Sequence, residues 1–197
     1  MSGSPNKMDR FKDLSQIKRG DQNMIRTVFV LFALVVTSFA QGERKPVNWE
    51  PFKYFVGTWE GVSKGETGPG KAEREYKIVM NGTFMEVRNK VISKMPDGKT
   101  DMHEDLGIVS YDDARQKFIL RQFNIEGFVN QYVLSSMGAD NKSSSWDTES
   151  IENIEPGWRG RERYKIVSKD EFVEIFELAP PGKDFAPFNE ITFKRKH

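Results

Sequence analysis

Ten short apolar runs succeed one another between residues 57 and 196, each bounded by turn-forming residues and none long enough for a crossover helix. They span 57–64, 71–80, 83–93, 101–110, 117–123, 128–134, 144–152, 159–167, 171–178 and 190–196. Parallel strands need a connection of a dozen or more residues, so runs this close together must pair as antiparallel hairpins. An open sheet of this width would leave two exposed edges, and closing it on itself removes them. The expected fold is therefore all-β: a single antiparallel up-and-down β-barrel of about ten strands.

The breaks between runs carry turn chemistry. Asn81-Gly82 separates the second and third runs and is the dipeptide that suits a two-residue type I′ turn, where both central residues take positive φ. Residues 65–70 (GETGPG) form a flexible break, and turns are expected at 95–99, 112–115, 138–141, 156–157, 169–170 and 180–182. Ahead of the first run, 49–56 (WEPFKYFV) is compact and aromatic, and Pro51 suits the first turn of a short helix that plugs one barrel end.

Alternation assigns some faces. Met85, Val87 and Val91 lie opposite Glu86, Arg88 and Lys90, so the apolar three point inward. Other candidate inward faces are mixed: Phe118, Leu120 and Gln122; Phe128, Asn130, Tyr132 and Leu134; Glu162, Tyr164 and Ile166. Polar groups on inward faces fit a partly wet cavity better than a dry sandwich core.

The 15 Phe, 5 Tyr and 4 Trp among 197 residues supply bulky core material and argue against disorder. Net charge is +1, but residues 1–40 hold six basic against three acidic side chains, which leaves −2 for the remainder. So balanced a domain does not neutralise phosphates, and no nucleic-acid partner is expected. The absence of cysteine removes disulfides, thiolate zinc sites, cysteine nucleophiles and lipoprotein anchors.

Residues 27–39 (TVFVLFALVVTSF) form an apolar core preceded by Arg26 and followed by small residues, the pattern of a secretory signal. Ser38 and Ala40 place cleavage between Ala40 and Gln41. A membrane span needs about 20 apolar residues, and this run meets Glu43, Arg44 and Lys45 sooner, so no stable anchor is expected after cleavage. The expected organisation is a polar extension or misassigned start at 1–23, a signal peptide at 24–40 and the barrel at 41–197, in a secreted or periplasmic product.

At Gly57-Thr58-Trp59-Glu60-Gly61 the chain resembles the calycins: lipocalins, fatty-acid-binding proteins and nitrobindin-like haem barrels. With the glycine-rich break, the Asn81-Gly82 hairpin and Gly107-Ile108-Val109-Ser110-Tyr111-Asp112, it is most similar to a family of small bacterial exported proteins of unknown function. That resemblance implies a barrel floor closed by Trp59 under a basic side chain of the last strand, here Arg195. It implies no cofactor for this chain, because neither His103 nor His197 stands in the motif by which nitrobindin-like barrels hold haem.

Candidate chemistry is sparse. Asp101, His103 and Asp105 share one strand face, as metal ligation requires, but such clusters are ordinary on solvated strand ends, and no metal is expected. No serine sits in a nucleophile elbow. Glu162 beside Tyr164, and Glu174 between Phe172 and Phe176, are inward carboxyls that burial would raise unless Arg163 or Arg74 offsets it. The expected function is binding of a small apolar or amphipathic molecule by a monomer or weak homodimer. Candidate cavity walls are Met85, Val87, Phe118, Leu120, Tyr132, Trp146, Tyr164 and Phe176. Two alternatives stand beside it: a barrel-shaped hydrolase or isomerase centred on Glu162, Tyr164 or His103, and a solid barrel that serves as an interaction module.

Overall fold

The ten runs form ten strands: β1 (Gly57–Gly65), β2 (Gly70–Val79), β3 (Phe84–Lys94), β4 (Thr100–Asp112), β5 (Lys117–Asn124), β6 (Val129–Met137), β7 (Ser143–Glu152), β8 (Arg159–Ser168), β9 (Glu171–Ala179) and β10 (Ala186–Arg195). The structure is a computed structural model that describes residues 46–197 apart from Thr67 and Pro96. The extension, the signal segment and its cleavage point lie outside the described residues. Each strand pairs antiparallel with the next, and β1 pairs with β10, so the sheet closes into a barrel. With no free edge, every strand has hydrogen-bonding partners on both sides.

One end is shut by the segment read as a helical turn. A 3-10 helix, Glu50–Phe55, carries Pro51 in its first turn and buries Phe52 and Phe55. Phe52 meets Phe118 edge-on at 4.8 Å and Trp146 at 5.7 Å, and Phe55 meets Phe172 at 5.1 Å. Trp49, just ahead of the helix, donates from Nε1 to the Gly82 carbonyl at 2.7 Å and so ties the plug to the β2–β3 turn. Burying two Phe side chains stabilises the closed end by about 3–6 kcal/mol before entropy is counted.

Beneath the plug, Trp59 is fully buried and its Nε1 donates to the Phe55 carbonyl at 2.7 Å. Arg195 lies opposite Trp59 in the β1–β10 ladder, and its guanidinium carbon stands 4.1 Å from the indole centroid. The same guanidinium donates to the carbonyls of Val56, at 3.0 Å, and Tyr54, at 2.6 Å. One side chain thus binds the last strand, the first strand and the plug. Gly61 completes the arrangement: a Cβ there would come within 2.8 Å of both Ile191 Cγ2 and Phe193 Cδ1.

Two local expectations shift. The β2–β3 ladder ends at Val79↔Phe84 because Met80, as well as Asn81 and Gly82, takes positive φ. Thr83 N still donates to Met80 O at 3.2 Å across Asn81-Gly82. Strand β10 begins at Ala186, four residues before the predicted 190, with a register shift between Pro187 and Asn189. Proline has no N–H for the ladder, and the bulge absorbs that loss.

Candidate functional site

Opposite the plug the barrel is open. A cavity of about 420 Å³ descends from this mouth toward the middle of the barrel, within the range of about 300–1,000 Å³ usual for small-molecule sites. The interior is therefore hollow here and does not have the filled core of a solid barrel.

Two stretches of the cavity wall contrast in character, although Val91 and Phe128 interrupt the polar one and Glu174 and Asn189 the apolar one. Strands β3 to β5 and the turn after them give Asn89, Asp101, His103, Asp105, Gln122 and Glu126. Strands β7, β9 and β10 and the β7–β8 loop give Ile151, Ile154, Trp158, Phe176, Leu178 and Phe188. The alternation of each strand makes this division, because odd residues of β4 and even residues of β9 are the inward ones. Phe176 and Phe188 meet edge-on at 6.0 Å across β9 and β10.

A connected layer of polar side chains lies between mouth and plug. The register sets Arg74, Asn89 and Asp105 side by side on β2, β3 and β4. Arg74 forms a bidentate ion pair with Glu174 of β9, both being buried, and donates from Nε to Asn89 Oδ1 at 3.1 Å. Asn89 Nδ2 donates to Asp105 Oδ2 at 2.8 Å; His103 Nε2 lies 3.3 Å from the same oxygen, and Nδ1 lies 2.8 Å from Glu126 Oε1. The chain of contacts runs from the buried Glu174 to Glu126 at the rim. Desolvation is the largest single influence and opposes charge on Arg74, but Glu174, Tyr76 and Tyr164 together overcome it and hold the guanidinium pKa well above its ordinary value. The Asp105 contact, then that of Glu126, overcomes desolvation and raises His103 to about 9, so both ring nitrogens carry protons at neutral pH.

Glu162 stands apart. It is buried on β8 and accepts a 2.5 Å hydrogen bond from the Tyr164 hydroxyl. Burial, and next the Glu174 carboxylate, push it up to about 8 against the opposing pull of Tyr164 and Arg74. At neutral pH it holds its proton, at the point where the main cavity meets the space beneath the polar layer.

The eight wall candidates fall into three places. Tyr132 and Phe176 line the main cavity. Met85, Val87, Leu120, Trp146 and Tyr164 surround a separate void of about 40 Å³ under the polar layer, room for a water or two. Phe118 packs on Trp49 and Phe52 at the plug and lines neither space. The reason is the plug, whose Phe52 and Phe55 occupy the closed half that the strand pattern leaves hollow. Asp101, His103 and Asp105, read as a solvated strand end, line the mouth instead. Of the two bases weighed for Glu174, Arg74 is its partner, while Arg163 lies on the other face with Glu177. Ile154, Trp158 and Phe188 escape sequence reasoning because they sit in a loop or beside Pro187, where no period operates.

No family model matches this chain, and no curated protein matches it either. Among solved structures it is similar to Rv2717c from M. tuberculosis, at 15% identity and a TM-score of 0.55, over 78% of this chain and 100% of that one. A second is the S-type phycobiliprotein lyase CPES from Guillardia theta, at 12% identity and a TM-score of 0.49, over 75% of this chain and 92% of that one. What the first of these likenesses shows is the fold: a closed antiparallel barrel.

Proposed function

We propose that this chain is an exported binding protein of the calycin kind, a monomer or weak homodimer, that holds a small, partly apolar molecule in its barrel. The observation that carries the reading is the cavity of about 420 Å³ with an apolar wall facing a polar one above a sealed floor. The apolar wall supplies affinity through burial, and the polar layer fixes orientation. Export rests on the leader pattern at 24–40. Native mass spectrometry of the protein isolated from its own source is expected to show a bound small molecule, and the same sample should begin at Gln41. Protein that carries no adduct and also takes up no apolar probe would remove the binding reading; a product that retains the leader would remove export.

A second reading is favoured by Glu162, a carboxyl that keeps its proton at neutral pH beside Tyr164, as a general acid requires. The two readings separate on turnover. A bound molecule recovered unchanged after long incubation supports binding, whereas conversion by the natural chain and not by Glu162→Gln supports an enzyme.

A further inference from the structure

The two buried polar atoms left without partners in the cavity, among the described residues, are both acceptors. Among the described residues, Asn130 Oδ1 and Asn189 Oδ1 are shielded from solvent and have no hydrogen-bond partner, and both residues line the cavity. Asn130 is 5% exposed. Its Nδ2 is already committed, donating to Gln122 Oε1 at 3.2 Å and to the Tyr132 hydroxyl at 3.1 Å, so the carbonyl oxygen is the free end. A buried acceptor without a donor costs about 1–3 kcal/mol, a cost that a ligand N–H would relieve.

Charge points the same way. The buried inward charges elsewhere are matched, Arg74 with Glu174 and Asp105 with Asn89 and His103. Glu162 has no cation of its own; among the described residues its hydrogen bond comes from Tyr164. Over the whole cavity wall, Arg74 and His103 face Asp101, Asp105, Glu126 and Glu174 before Glu162 is counted. An anionic head group would enter against that excess, whereas a cationic one enters with it.

We propose that the molecule held here carries a cationic, hydrogen-bond-donating nitrogen on an apolar body, and that this nitrogen seats against Glu162 and Asn130. The proposal rests on reading the cavity as a binding site and specifies what it selects. Tyr132 links the two positions: its hydroxyl accepts from Asn130 and lies within electrostatic reach of Glu162. The apolar body lies along Trp158, Phe176, Leu178 and Phe188 toward the mouth.

A consequence concerns protons. Free Glu162 holds its proton below about pH 8, facing Glu174 on β9, Arg74 on β2, Asp105 on β4, Tyr132 on β6 and Tyr164 on its own strand. An ammonium group placed beside it favours the carboxylate. The amine arrives charged and stays charged, so the Glu162 proton leaves to solvent as the ligand binds.

The test is calorimetric titration of the full chain at pH 7 with octylammonium, 1-octanol and octanoate, which share one apolar body and differ in head group. Octylammonium is expected to bind at least about tenfold more tightly than the other two, a difference of about 1.4 kcal/mol. Repeating the titration in buffers of different ionisation enthalpy should show about one proton released for octylammonium and none for octanol. Glu162→Gln should abolish the release and bring the amine to the affinity of the alcohol. Octanol or octanoate binding as tightly as the amine overturns the proposal and leaves the cavity reading standing. Amine binding without proton release overturns the seat at Glu162 and needs no variant to show it. Binding of none of the three overturns the cavity reading, and the proposal with it.

Discussion

Arg195 does two kinds of work at one position. Its guanidinium stacks over Trp59 at 4.1 Å and caps the Tyr54 and Val56 carbonyls, which the plug leaves without other donors at that spot. A cation over an indole contributes about 0.5–2 kcal/mol, and a buried carbonyl stripped of its donor costs about 1–3 kcal/mol. Replacing Arg195 by Met keeps the aliphatic stem and removes both contributions, together with a partly exposed ion pair to Asp170 at 3.7 Å that adds little. The expected loss is about 2–4 kcal/mol, read as a lower urea midpoint at unchanged slope. Arg195→Lys should recover only part of it, since an ammonium has no planar fork to serve two carbonyls while lying flat on a ring. An Arg195→Met midpoint within error of the natural chain would show that plug packing alone holds the floor. The pair of Trp59 and Arg195 was legible through the resemblance that the contiguous Gly57-Thr58-Trp59-Glu60-Gly61 carries, with Arg195 in strand parity with Ile191 and Phe193. The Arg74–Glu174 pair was only half readable: β2 alternates Lys71, Glu73, Glu75 and Lys77 against Ala72, Arg74 and Tyr76, which marks Arg74 as inward, but no strand pattern says that its partner comes from β9, across the barrel.

At the scale of elements, the plug decides where a ligand can go. Strand parity alone makes the whole barrel interior available, and on that basis Met85, Val87, Leu120 and Trp146 read as cavity wall. Phe52 and Phe55 take that space, leaving about 40 Å³ beneath the polar layer and about 420 Å³ above it. A six-residue segment has no period from which to read the depth of its insertion, so the division of the interior was hidden while all ten strands were visible. The mouth was hidden for a related reason, because Ile154 and Trp158 come from a loop and Phe188 follows a proline. Truncating the plug tests its role. Phe52→Ala removes contacts with Trp49, Phe118 and Trp146, and a buried Phe→Ala change costs about 3–5 kcal/mol. The new space lies under the polar layer, so the variant should admit a small apolar probe such as benzene or xenon that the natural chain excludes there. Crystals of the variant under xenon would show the atom beside Phe118 and Trp146; an unfilled, collapsed site would mean the strands close over the gap.

For the whole molecule, a closed barrel with charged groups inside makes its stability answer to pH through its interior. Glu162 is raised from 4.5 to about 8 in the folded chain, so between those values the folded state binds more protons than the unfolded one. Stability from this group is therefore greatest below about pH 4.5 and declines as pH rises toward 8. His103, raised from 6.5 to about 9, contributes fully below 6.5 and loses its contribution as pH climbs through 9. The two slopes have the same sign and overlap between about 6.5 and 8. Each pKa unit corresponds to about 1.4 kcal/mol, and with the mouth partly open to water the combined decline is on the order of a few kcal/mol. The urea midpoint should fall steadily from pH 6 to pH 9. Glu162→Gln should be more stable than the natural chain at pH 8 and nearly equal to it at pH 4.5, because a neutral amide keeps the Tyr164 hydrogen bond without the cost of ionisation. His103→Gln should be less stable than the natural chain at pH 6 and converge on it above pH 9. The double variant should leave the midpoint almost flat across this range. A midpoint that rises between pH 6 and 9, or a slope that survives both substitutions, would place the titrating groups elsewhere in the barrel.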